Sequence, residues 1–98
     1  MNGIKPIDTV QELEHILEFK VRPQDFGIQG VSLFGSLARG EVANDVDLLI
    51  HHFGSTNELL RFQELLEEAC GLPVDLVPEQ SMNPIIRYRA SKDLRHVA

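Results

Sequence analysis

Two short runs of β-forming residues, Asp45–Ile50 and Val74–Val77, are separated by a single amphipathic helix, and no other feature constrains the fold as strongly. The helix opens at Ser55, with Glu58 at capping-box spacing. Leu59, Phe62, Leu66 and Ala69 form one stripe, widened by Leu65 and Cys70. Gly71 stands where a C′ glycine belongs, and Pro73 prevents the helix from resuming. One full helix between two strands predicts a right-handed parallel crossover. A third run, Ile28–Phe34, reaches the first through a short connection, so those two are expected to be antiparallel.

The remaining segments fit around this core. Thr9 and Glu12 have capping-box spacing and open a helix to about Lys20, with Val10, Leu13, Ile16 and Leu17 on one face. Arg22-Pro23 interrupts it, and Gln24–Gly27 is expected to be a turn or one helical turn. His51–Gly54 is expected to be a connection. Asn83-Pro84 has the form of N-cap and N1 of a last helix, with Ile85, Ile86 and Tyr88 supplying apolar contact and a restart near Ser91. The expected fold class is α/β: a small mixed sheet of three or four strands with helices packed against it, one domain over residues 1–98. A chain of 98 residues hides roughly 65% of its surface on folding, enough for one core.

Charge and composition exclude several classes. The net charge of −6 is uneven: residues 1–80 carry 14 acidic against 5 basic side chains. Residues 81–98 carry Arg87, Arg89, Lys92 and Arg95 against Asp93. An acidic body repels phosphates, so nucleic acid is not expected as a direct ligand. The basic tail is either the solvated end of a helix or a contact for an acidic partner. No run approaches the ~18 apolar residues of a membrane span, and Met1–Val10 lacks the apolar stretch of a secretion signal. The single cysteine, Cys70, has no internal disulfide partner, which fits a cytoplasmic protein.

Three features carry chemistry. In a strand, Asp45 and Asp47 project from one face about 6.6 Å apart, while Val46 and Leu48 point the other way. Two carboxylates roughly 4 Å apart repel by about 4 kcal/mol at an effective dielectric near 20, and a divalent cation reverses that sign. The pair is therefore either a metal site or an edge in water. Gly35-Ser36 directly after a strand is either an anion cradle of turn amides and hydroxyl or a junction with Ser36 as N-cap; Arg39, one turn on, would add a guanidinium for a phosphate. Asp75, inside Val74–Val77, must be paired, hydrogen-bonded or metal-bound if buried, and can face the first two carboxylates if its strand lies beside theirs. His51-His52 is expected in a solvated loop, Cys70 as a small buried apolar group, and Tyr88 in the core. His15 and His96 have no partner at metal-ligand spacing.

Phe34-Gly35-Ser36-Leu37-Ala38-Arg39-Gly40-Glu41, followed by Asp45-Val46-Asp47-Leu48-Leu49-Ile50, resembles the signature of the minimal nucleotidyltransferases, small relatives of DNA polymerase β. Val74-Asp75-Leu76-Val77 is similar to the later family strand that carries a third carboxylate. The resemblance implies a polymerase β palm-like fold. It implies that Gly35, Ser36 and Arg39 meet the phosphates of ATP or another nucleoside triphosphate, that Asp45, Asp47 and Asp75 bind Mg²⁺, and that Asp75 acts as base. It also implies a partner protein with a HEPN domain, and an antitoxin that transfers AMP from ATP to a hydroxyl of that partner. Eight residues, Leu37–Asn44, separate Ser36 from Asp45, fewer than the family pattern usually has. The alternative expectation is accordingly an inactive module of the same fold that neutralises its partner by binding alone.

Overall fold

A computed structural model describes residues 5–98, apart from the side chains of Ile86 and Arg89, so the contacts expected of those two lie outside the described residues. Helix α1 (Val10–Phe19) begins at Thr9, whose hydroxyl accepts from the Glu12 amide while Glu12 returns to the Thr9 amide, a complete capping box. A 3₁₀ turn at Pro23–Phe26 leads into β1 (Ile28–Phe34). Strand β2 (Val46–Phe53) follows the Gly35–Asp45 connection, α2 (Thr56–Cys70) crosses over, and β3 (Val74–Pro78) returns parallel to β2. A 3₁₀ turn (Glu79–Ser81), α3 (Pro84–Ser91) and the two-residue β4 (Arg95–His96) complete the chain. The sheet order is β3-β2-β1-β4, with β1 antiparallel to both of its neighbours.

Alternation along the strands divides the sheet into two faces. Val31 and Leu33 of β1, Val46, Leu48 and Ile50 of β2, and Val74 of β3 are buried in a cluster with Leu13, Ile16 and Leu17 of α1 and Leu59, Phe62, Leu66 and Cys70 of α2. The opposite face presents Ser32 and Phe34, then Asp47, Leu49 and His51, then Asp75 and Val77. Among the described residues, that face is covered where Leu49 packs with Met82 and Ala90 from the C-terminal segment, flanked by Phe34 and Val77. Side chains of α2 tie the crossover to β3, Gln63 donating to the Val74 carbonyl (2.7 Å) and Glu67 accepting from the Val74 amide (2.9 Å).

Several expectations are corrected. β2 continues through His51, His52 and Phe53, because the start of β1 needs partners and finds them there: Gln29 opposite His52 and Ile28 opposite Phe53. Asp45 lies immediately before β2 rather than within it. Ser55 caps α2, but the reciprocal Glu58 bond is replaced by a contact with Arg61 (3.3 Å). Ile85 and Tyr88 face solvent, and among the described side chains of α3 Ala90 is buried against Leu49 and Met82. Tyr88 lies under the Lys92 ammonium, 4.9 Å from its ring centre. The tail does not remain helical: Arg95 enters β4, and Val97 and Ala98 bond to Val31.

Candidate active site

β1 ends at Phe34, opposite Asp47, and Asp47 lies in register with Asp75 on the parallel strand. The first glycine after β1 has φ +85°, a conformation that L side chains rarely adopt. A Cβ at Gly35 would strike Oδ2 of Asp47 and stand 3.3 Å from its Cγ. Glycine is needed here twice over, once for the backbone turn and once for the carboxylate lying across it.

After Gly35 the chain coils tightly. The Arg39 amide reaches the Gly35 and Ser36 carbonyls (3.3 and 3.1 Å), and the Glu41 amide returns to Ser36 (3.0 Å). Among the described residues, the amides of Ser36, Leu37 and Ala38 donate to no protein acceptor, which leaves them available for an anion. Arg39 does not project freely. Its Nη1 donates to Asp93 (2.8 Å), while Nε and Nη2 clasp Glu41 (both 3.2 Å), so phosphate contact by this side chain requires exchange of those partners.

Asp47 is half-buried, and its carboxyl is pushed above the usual aspartate range. Burial is the largest cause, followed by the charges of Asp45 and then Asp75, with Arg39 opposing them. The three expected carboxylates thus share one electrostatic neighbourhood, and Asp45 and Asp75 are exposed. Among the described residues no cation pairs with any of them. Nor do three His, Cys, Asp or Glu side chains among the described residues gather closely enough to hold a metal ion unaided. Hard oxygen donors that no described side chain ion-pairs, beside a turn of open amides, fit a cation such as Mg²⁺ that takes one or two carboxylates and completes its shell with water and phosphate.

Along β2 from Asp47, on the same face, stands a residue expected to be in a solvated loop. His51 is partly buried, with Nε2 2.9 Å from the buried Ser32 hydroxyl and Nδ1 3.4 Å from Glu79 Oε2. A glycine again makes the room: a Cβ at Gly30 (φ +79°) would be 2.9 Å from His51 Cβ and 3.1 Å from its ring. An isolated glycine inside a strand was the available signal, since it marks a close approach.

Comparison with known proteins agrees with this geometry. Residues 10–96 match the model of the nucleotidyltransferase domain family. The chain is 36% identical over 96 residues to protein adenylyltransferase MntA of Thermococcus cleftensis, an alignment covering 91% of this chain and 96% of that protein. A solved structure described as a "putative minimal nucleotidyltransferase" superposes with a TM-score of 0.70 at 26% identity, covering 99% of each chain. A Shewanella oneidensis complex of a tri-AMPylated HEPN toxin with its MNT antitoxin shares the fold, with a TM-score of 0.62 at 20% identity over 92% of this chain and 72% of that one. No helix among the described residues is long and apolar enough to cross a membrane. A glycine-cradled aspartate in register with a second carboxylate, over a sheet shared with these structures, makes this chain a nucleotidyltransferase, a member of the minimal branch of the nucleotidyltransferase domain family.

Proposed function

We propose that this protein transfers AMP from ATP, with Mg²⁺, to a hydroxyl of a partner protein carrying a HEPN domain, as the antitoxin of such a pair. The observation that carries the reading is the Asp47 carboxylate lying across Gly35 with Asp75 in register beside it. The relative named protein adenylyltransferase supports the reaction type, and the AMPylated HEPN toxin in the Shewanella complex supports the partner.

In this reading Asp45 and Asp47 hold the cation, with Asp75 at the margin of the same site. Bound Mg²⁺ supplies neutralisation of phosphate charge and alignment of the triphosphate. The Gly35-Ser36 turn receives the phosphates through its open amides. Asp75 accepts the proton of the acceptor hydroxyl as its oxygen bonds to the α-phosphorus; the bond to the bridging oxygen breaks and pyrophosphate leaves. The acceptor arrives on a second chain, because one small core leaves little room for donor and acceptor together.

The test uses α-labelled ATP, Mg²⁺ and the product of the neighbouring gene, tried as the HEPN-domain acceptor. Label should move to the partner, and Asp47→Asn should reduce transfer at least about a hundredfold. A second reading, neutralisation by binding alone, is favoured by the absence of a closed three-ligand cluster among the described residues. It predicts no label with either form and unchanged partner binding by Asp45→Asn/Asp47→Asn.

A further inference from the structure

The Ser32–His51–Glu79 chain has no part in the transfer step just described, yet three residues are devoted to fixing one ring: Gly30 makes room, Ser32 bonds Nε2 and Glu79 bonds Nδ1. A carboxylate only accepts, so Nδ1 donates to Glu79, and the Ser32 hydroxyl, which can donate or accept, completes the hold at Nε2. With both nitrogens engaged inside the protein, His51 offers its neighbours ring carbon, a flat and weakly polar surface. It lines a cavity of about 220 Å³ between α3 and the open face of the sheet, together with Leu49, Met82, Glu79, Arg87 and Leu94. The volume is below the roughly 300 Å³ of small whole-ligand pockets, so it suits one flat moiety rather than a complete nucleotide. Leu49 stands two residues from Asp47 and His51 four, on the same face, so the cavity begins about 7 Å along β2 from the carboxylate assigned to the cation.

We propose that this cavity is the nucleobase subsite of the donor, with the base ring against His51 and an exocyclic amine of the adenine type donating to Glu79. The assignment rests on the proposed nucleotidyl transfer and adds to it the part of the donor that confers base preference. Leu49, Met82 and Leu94 give the apolar walls, and Arg87 offers donors to ring acceptors at the rim. His51 acts as the stacking wall, and Ser32 and Gly30 as positioning residues for it.

Binding of ATP, ITP (which lacks the exocyclic amine) and inorganic tripolyphosphate, each with Mg²⁺, to the full chain separates the possibilities. ATP should bind roughly tenfold more tightly than either of the other two. Glu79→Ala should erase the ATP advantage over ITP, and His51→Gln should reduce that over tripolyphosphate, with neither weakening tripolyphosphate itself. Circular dichroism verifies that both variants are folded. Equal affinity for ATP and tripolyphosphate, equal affinity for ATP and ITP, or an ATP advantage that survives both substitutions overturns the subsite while leaving nucleotidyl transfer intact. Failure of all three ligands to bind overturns both.

Discussion

Asp47 is held at a cost. Burial and the neighbouring charges of Asp45 and Asp75 raise its carboxyl above the ordinary aspartate value, so ionising it in the folded protein is harder than in the unfolded chain. The sign follows from linkage: a raised acid contributes stability below its unfolded pKa and loses it as pH rises through the folded value. In chelated solution at neutral pH, Asp47→Asn should therefore melt at a higher temperature than the natural protein, and the difference should fade as pH falls through the aspartate range. The same variant should lose transfer, which would make Asp47 a residue kept for function against stability. Gly35→Ala tests the cradle from the other side. It forces a side chain into φ +85° and against the carboxylate, so thermal unfolding should report a loss of about 1–3 kcal/mol, and label transfer should disappear with it. The sequence made Asp45, Asp47, Asp75 and Gly35 legible because carboxylates set among β-forming residues are costly unless a cation or solvent meets them, and a glycine at a strand's end signals a turn. It left His51 illegible, since its significance depends on Gly30 and Ser32 from another strand and Glu79 from beyond the crossover.

At the scale of elements, local chemistry was readable wherever a helix signalled its own ends. Thr9 and Glu12 close a reciprocal box, and Ser55 and Gly71 bracket α2 where the spacing required. Thr9→Ala should cost about 1 kcal/mol of stability in urea titration, because the Glu12 amide loses its acceptor. What escaped the sequence was pairing. His51–Phe53 joins β2 because β1 offers partners, and Arg95–His96 becomes a strand only because the far side of β1 is open. Neither segment has an intrinsic β pattern strong enough to announce it. The last helix failed differently: Ile85 and Tyr88 are apolar by type but lie on its solvent side, whereas Ala90 meets the sheet.

For the molecule as a whole, the two faces of one sheet divide the work. One is sealed by α1 and α2 around Phe62, fully buried with its ring 5.6 Å from that of Phe26. Phe62→Ala should cost about 3–5 kcal/mol, a large share of the stability of a domain this size, and calorimetry should show a matching fall in Tm. Cys70 belongs to the same core, its thiol pushed by burial up to about 12, so alkylating reagents should label it only on unfolding. The other face is covered in part by the C-terminal segment, with Asp47 and Asp75 near one end and the His51 cavity further along β2. On the proposed function, Asp45 and Asp47 hold a divalent cation beside the Gly35-Ser36 turn. Titration of Mn²⁺, followed by its paramagnetic resonance in the presence of a non-hydrolysable ATP analogue, tests it most directly. The natural protein should bind one ion, and both Asp45→Asn and Asp47→Asn should bind it at least tenfold more weakly; unchanged Mn²⁺ affinity in the two variants would mean that these aspartates do not hold the cation.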